Sequence, residues 1–310
     1  MRVLFWGTPE FATPPLRALL GEGFDVVGVV TQPDKAVGRS RSKLEAPPVK
    51  QVALEEGIPV LQPERPRGED FIAQLRALSP DVSVVVAYGH ILPREVIDLP
   101  TRGTLNIHAS LLPLLRGAAP IQAAIREGHA RTGVTIMRMV PKLDAGPCIL
   151  QLVTNVNEDE TYGELALRLS ELGATALIEA LALVELGKAP EEPQDESAAT
   201  FAPKIDRENT RVDWTRDART VCRLVRAYDP RPGAFTVLEE QDVKLFGVRL
   251  APRPESARPG EVIGASAEGL VVACGEGAVR VLQVKPAGKR RMPATDWLRG
   301  RGIAIGQCFD

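Results

Sequence analysis

The chain has 310 residues, 44% of them hydrophobic and 25% charged, with a net charge of −2. Enough apolar surface is present to offset chain entropy, which excludes a disordered chain, and no apolar run approaches the ~18 residues of a membrane-spanning helix. The length suits two domains. Charge is unevenly spread: residues 206–310 carry 18 basic and 14 acidic side chains, residues 1–205 carry 20 and 26. A mildly basic rear on an acidic front is compatible with a nucleic-acid partner. The four cysteines, Cys148, Cys222, Cys274 and Cys308, are far apart and form no C-x-x-C pair. They read as free thiols in a reducing compartment rather than as a metal or redox site.

Arg2–Trp6 predicts a first strand, too short and too soon broken for a signal peptide, so a cytoplasmic protein is expected. Gly7-Thr8-Pro9 and a helical stretch to Leu20 follow, then a second apolar run at Asp25–Val30. Thr31 to Pro48 reads as a loop rich in Gly, Arg, Ser and Pro, with helical patterns at about 46–57 and 69–78. Asp81–Ala87, Gly103–His108, Val134–Val140 and Cys148–Val153 read as strands, and Tyr162–Leu186 as a long helix with a Leu and Ala stripe. This alternation predicts an α/β domain with an open, mostly parallel sheet. The acidic, proline-rich stretch Ala189–Ser197 has the composition of a linker. Beyond it, Val212–Tyr228 reads as helical. Five short strands then follow, at Phe235–Leu238, Val243–Leu250, Gly260–Ile263, Leu270–Ala273 and Val279–Val284, and suggest a small β-barrel.

Gly7-Thr8-Pro9 stands where a dinucleotide-binding fold places G-x-G-x-x-G, so a hydride-transfer enzyme is disfavoured. The informative segment is Leu105 to Pro113. Asn106 and His108 are two apart on a strand, so both side chains share one face near its carboxyl end, where open α/β sheets bind ligands. An amide donor beside an imidazole suits a developing oxyanion. The same pair could instead cap the next turn. Asp144, in Lys142-Leu143-Asp144-Ala145-Gly146, is either a turn former or the carboxylate of a three-group site with Asn106 and His108. The segment from Gln32 to Lys43 holds Lys35, Arg39, Arg41 and Lys43, and reads either as a solvated loop or as a phosphate-gripping arm. Lys289-Arg290-Arg291 forms a second basic cluster. Arg216, Arg219, Arg223 and Arg226 add charge at helical spacing. Each cluster alone could serve solubility; together they favour nucleic acid.

Several stretches together resemble the methionyl-tRNA formyltransferase family. They are Gly7 to Ala12, Thr31 to Asp34, Val85 to Gly89, Asn106-Ile107-His108 with Ser110 to Pro113, Arg116 to Gln122, Gly133 to Met137 and Leu143 to Gly146. Asp213-Trp214 and Pro286 to Lys289 extend the resemblance into the rear part. It implies a Rossmann-like catalytic domain over residues 1–189, a linker over 190–205 and an OB-like tRNA-binding barrel over 206–310. It also implies formyl transfer from the co-substrate 10-formyltetrahydrofolate to initiator methionyl-tRNA, without a metal and as a monomer. Asn106, His108 and Asp144 fall on the family's catalytic positions. Ser110, Leu111, Leu112 and Pro113 fall on its folate-binding stretch, with Tyr88 and Gly89 on a loop near the pterin pocket. Arg39, with Arg41 and Lys43 beside it, falls on the loop that enters the acceptor stem. Lys289 and Arg290 fall on the tRNA-facing barrel. Leu114, Leu115, Pro147 and Arg231 depart from common forms of the pattern. The rivals are a formyltransferase acting on an amino sugar-nucleotide and a non-catalytic RNA-binding protein.

Overall fold

The computed structural model describes residues 1–37, 43–252 and 256–310. Two compact units emerge. The first comprises Met1–Gly117, Arg131–Asn155 and Ala166–Ala202; the second comprises Ala118–Ala130, Val156–Leu165 and Pro203–Asp310.

In chain order the elements begin with β1 (Arg2–Gly7), α1 (Thr13–Gly21), β2 (Asp25–Val30), β3 (Lys35–Val37) and β4 (Lys43–Glu45). Next come α2 (Pro48–Glu55), β5 (Val60–Leu61), α3 (Glu69–Ala77), β6 (Val82–Val86), α4 (Arg94–Ile97) and β7 (Thr104–His108). Then α5 (Pro120–Glu127) is followed by β8 (Arg131–Arg138), β9 (Cys148–Asn155) and α6 (Tyr162–Glu185). A seven-stranded sheet in the order β5-β2-β1-β6-β7-β8-β9 forms the first unit. Strands β5, β2, β1, β6 and β7 run parallel. Their near-continuous Val and Leu content fits strands covered on both faces. Strands β8 and β9 are antiparallel to their neighbours. Only residues 139–147 join these two strands, too few for a crossover, so they pair as a hairpin. Burial alternates along β9, as it should on an edge strand with one solvated face.

Trp6 anchors the packing between sheet and helices. Its ring meets Phe71 edge-on at 6.1 Å and Tyr88 at 5.2 Å. Helix α6 covers β7 closely. A Cβ on Gly173 would lie 3.0 Å from Ile107 Cγ2, so the absent side chain permits the approach. That contact fixes the Ile107 face of β7 inward and turns the Asn106 and His108 face the other way.

The stretch expected as a loop from Thr31 to Pro48 contains a two-stranded ribbon, with Lys35 opposite Glu45 and Val37 opposite Lys43. Its root is fixed where Lys50 Nζ reaches both Asp34 oxygens at 2.8 Å and Gln62 Oε1 at 2.7 Å.

The second unit adds α7 (Ala218–Tyr228), β10 (Ala234–Leu238), β11 (Gln241–Ala251), β12 (Val262–Ser266), β13 (Gly269–Ala273), β14 (Ala278–Pro286), β15 (Met292–Pro293) and α8 (Ala294–Arg299). Its sheet is antiparallel, in the order β10-β11-β14-β13-β12 with β15 paired to β14. Trp214 and Trp297 both stack on Phe309 in its core, at 5.7 and 6.4 Å. The helix expected from Val212 begins only at Ala218. Arg211 bridges Phe235 instead, Asp213 turns the chain by accepting from Thr215 N at 3.0 Å, and Asp217 caps the helix through Thr220 N at 3.0 Å.

Candidate active site

The carboxyl ends of β1, β2 and β6 converge on one carbonyl. Tyr88 O accepts from Thr8 Oγ1 at 2.9 Å and from Gln32 Nε2 at 3.1 Å. Ala87 and Gly89, on either side, have φ of 48° and 94°, and both are exposed. The φ of 94° favours glycine at 89, and a Cβ there would also push on the Nε2 end of the Gln32 side chain, 2.5 Å away. The Tyr88 ring turns into the core against Trp6. Burial pushes its hydroxyl up to about 12, and among the described residues that hydroxyl finds no partner. Tyr88 therefore offers this loop its backbone, while Ile91 beyond it is 84% exposed.

His108 ends β7 opposite Thr135 of β8 and is 5% exposed. Its Nε2 lies 2.9 Å from Leu115 O. A carbonyl only accepts, so Nε2 carries the proton and Nδ1 keeps its lone pair in the neutral ring. Nδ1 faces Asp144 Oδ2 at 3.7 Å. Burial pushes the imidazole pKa down; Asp144 and the Leu115 carbonyl pull it up, and the Arg116 guanidinium lowers it further. The net direction keeps the resting ring neutral, and Asp144 is the larger of the two influences that favour its charged form. Asn106 is half-buried on the same strand face, and its amide makes no hydrogen bond among the described residues.

Asp144 sits in a tight turn with φ of 46°, a conformation costing ~1–3 kcal/mol for a non-glycine residue. Gly117 N donates to its Oδ2 at 2.8 Å. Two residues on, a Cβ at Gly146 would lie 1.8 Å from Arg138 O, so only glycine lets the turn close against β8. Asp144 and His108 are thus brought together from positions 36 apart in the sequence, as the three-group reading requires.

The Ser110 to Pro113 turn is organised by Thr135, which lies in the Gly133 to Met137 stretch of the resemblance, although the resemblance implies no role for it. Thr135 Oγ1 donates to Ser110 O at 2.7 Å and accepts from Leu112 N at 3.1 Å. Gln151 Nε2 adds a bond to Leu112 O at 2.8 Å. Ser110 Oγ closes the turn onto Leu114 O at 2.6 Å. Leu111 and Pro113 are left half-buried, whereas Leu112 is core. Besides its place in the Gly133 to Met137 stretch, the signal for Thr135 is a polar side chain at an inward position of an apolar strand, and it stands directly across from His108. Leu114, Leu115 and Pro147, which depart from the expected pattern, contribute backbone carbonyls to Ser110, His108 and Arg138 N. These bonds are made by backbone atoms and place no demand of their own on the side chains, although Leu115 is itself buried in the core.

Of the basic residues, Arg39 and Arg41 lie outside the described residues, and Lys43 is placed by its backbone in β4. Lys289 and Arg290 are exposed in the turn between β14 and β15. Arg291 next to them is engaged, lying 4.1 Å over the Phe246 ring with Nη1 3.1 Å from Asp229. Among the described residues no group of His, Cys, Asp and Glu side chains is arranged to hold a metal ion.

Comparison with known proteins gives a consistent picture. A family model described as formyl transferase matches residues 1–181, and one described as formyl transferase, C-terminal domain, matches residues 204–302. A methionyl-tRNA formyltransferase of Magnetococcus marinus is 48% identical over 306 residues, covering 99% of this chain and 97% of that protein. That of Methylococcus capsulatus is 47% identical over 304 residues, covering 98% of each. The solved structure of HypX from Aquifex aeolicus in complex with tetrahydrofolic acid superimposes with a TM-score of 0.69 at 22% identity, covering 99% of this chain and 48% of that one. The chain thus spans about half of HypX, and that likeness is one of fold. With both family models in place and relatives matched end to end, the chain belongs to the methionyl-tRNA formyltransferase family.

Proposed function

We propose that this chain transfers the formyl group of 10-formyltetrahydrofolate to the α-amino group of methionine on initiator tRNA, giving N-formylmethionyl-tRNA for translation initiation. The observation that carries the reading is the His108–Asp144 pair, 3.7 Å apart at the carboxyl end of β7, in a chain alike over nearly its full length to methionyl-tRNA formyltransferases.

The folate, when bound, supplies an activated formyl group on a nitrogen that can leave. The residues fit such a ring. Ala87 and Gly89 bend an exposed loop, Ile91 leaves apolar surface open to cover, and the Ser110 to Pro113 turn is held rigid by Thr135. In this reading Ser110, Leu111, Leu112, Pro113, Tyr88 and Gly89 form the folate side of the site. The attacking amine is neutral at cytoplasmic pH, its reference pKa being ~7.7. As its nitrogen bonds to the formyl carbon, the amide of Asn106 donates to the oxygen that gains charge. His108 Nδ1 takes up the proton the amine must lose, and Asp144 stabilises the resulting imidazolium. The charged ring is then a second donor to that oxygen and returns the proton to the departing folate nitrogen.

Residues 1–189 form the catalytic domain in this reading, 190–205 the linker and 206–310 an OB-like barrel built on the antiparallel sheet. Arg39, Arg41 and Lys43 reach the acceptor stem, and Lys289 and Arg290 meet phosphate. The enzyme works as a cytoplasmic monomer. No helix among the described residues is long and apolar enough to cross a membrane.

The test is a transfer assay with 10-formyltetrahydrofolate and two methionyl-tRNAs, initiator and elongator. Formylation of the initiator alone is expected. Formylation of neither, with folate still bound, would move the acceptor to an amino sugar-nucleotide.

A further inference from the structure

The stretch from 191 to 202, which overlaps the linker-like composition of Ala189–Ser197, carries a dense set of contacts to the Asp144 and Leu115 turns. Arg116 is the centre of them. Its side chain has no exposed surface, so its charge must be met inside the protein. Gln194 Oε1 accepts from Arg116 Nε at 3.0 Å and from Nη2 at 2.8 Å. Glu196 takes Nη1 at 3.2 Å and Nη2 at 3.1 Å. The other end of the Gln194 amide is spent on the Asp144 turn. Its Nε2 donates to Asp144 O at 2.9 Å and to Gly146 O at 2.7 Å.

The same stretch grips the turn that holds the opposite edge of His108. Leu115 N donates to Thr200 Oγ1 at 2.8 Å, and Arg116 N to Thr200 O at 2.9 Å. Leu115, with φ of 58°, presents the carbonyl that fixes His108 Nε2. Both ring edges of His108 are therefore set by turns of unfavourable backbone, and one amide side chain links the two.

We infer that Gln194 is a positioning residue for formyl transfer: by clamping the Asp144 carbonyl and the Arg116 guanidinium together, it holds the Asp144 carboxylate at the Nδ1 edge of His108. The inference rests on the functional reading above. Arg116 and Asp144 are the charged groups that act on His108, with opposite sign, so the clamp also sets the balance between them.

The experiment is steady-state kinetics of full-length Gln194→Met with 10-formyltetrahydrofolate and initiator methionyl-tRNA, with the pH profile of kcat and the melting temperature. Methionine fills the space but neither accepts from Arg116 nor donates to the turn. We expect kcat to fall about tenfold to 100-fold, as for a catalytic group displaced by about 1 Å. The KM for each substrate should stay within about twofold, because no binding contact is removed. The acid limb of kcat should move to lower pH, since Asp144 no longer supports the imidazolium. A purely structural role would lower the melting temperature and leave kcat and the acid limb in place; that result overturns the inference. If the methionine variant fails to fold, Gln194→Glu decides. It keeps an acceptor for Arg116 and loses both donors to the turn, so wild-type kcat there overturns the inference equally. Absence of transfer by the wild-type enzyme would instead overturn the functional reading.

Discussion

The groups proposed for catalysis and two basic residues proposed to meet RNA, Lys289 and Arg290, are held in opposite ways. His108 is 5% exposed and is fixed at both ring edges, by Leu115 O at 2.9 Å and Asp144 at 3.7 Å. Lys289 and Arg290 project from a turn into solvent. Transfer between two small groups needs donors aimed at one atom, and a misplaced donor loses most of its effect. A polyanion presents a charge at every step, so a movable point charge on the surface suffices. The arginine that is buried, Arg116, is held by side chains of its own unit and supports geometry rather than binding.

The sharpest test of the contrast is at the fixed end. Replacing Asn106 by Ala removes an oxyanion donor, with an expected loss of ~100-fold or more in kcat, about 3 kcal/mol. His108→Ala removes both the proton acceptor and the second donor, and should cost at least as much. Burial favours the neutral imidazole, so kcat in the wild type should hold as pH falls below the free-histidine value of 6.5 before its acid limb appears. Near-normal turnover of His108→Ala, by initial rates at saturating substrates, would remove His108 from the mechanism.

For the basic residues proposed to meet RNA the effect should be smaller and differently shaped. Arg39→Ala with Arg41→Ala, and separately Lys289→Ala with Arg290→Ala, should weaken tRNA binding and flatten its salt dependence by ~1 in log–log slope for each lost phosphate contact. The kcat at saturating tRNA should be unchanged. An unchanged slope in the Lys289 and Arg290 pair would place that turn away from the RNA.

Much of this division is legible in the sequence. Arg2 to Trp6 and the valines of β6 announce buried parallel strands, and the Asn106-x-His108 spacing fixes two groups on one face. Asp144 is legible only as a turn or a partner, because no local pattern reports a contact made across 36 residues. The antiparallel pairing of β9 with β8 follows from a connection too short to cross over, whereas the reversal of β8 against β7 lies across a long connection that contains α5 and leaves no local mark in the sequence. Gln194 is the least legible. An acidic, proline-rich stretch looks solvated whether its polar groups meet water or a guanidinium 78 positions away. The role of Thr135, though not its stretch, is hidden for a related reason, since a buried hydroxyl in a Val-Thr-Ile run is also what any half-polar strand contains.

Glu196 offers the smallest test, and it probes where the two styles of holding meet. Its carboxylate is 55% exposed, like a surface group, yet its partner Arg116 is fully buried. The Arg116 bond first, and then Lys142 at 2.6 Å, hold its pKa at about 2, below the usual 4.5. A carboxylate with a depressed folded pKa contributes stability that is present above its unfolded value and lost as pH falls toward its folded one. Wild type should therefore melt above Glu196→Gln at neutral pH, and the gap should close between about pH 4.5 and about pH 2. The glutamine keeps an acceptor for the guanidinium, so the fold and Gln194 clamp should persist and kcat should change little. A melting-temperature gap that is the same at pH 7 and pH 3 would mean that shape, not charge, is what Glu196 supplies. Arg116 would then be held by hydrogen-bond acceptors, from Gln194 and from whichever side chain stands at 196, and not by a countercharge.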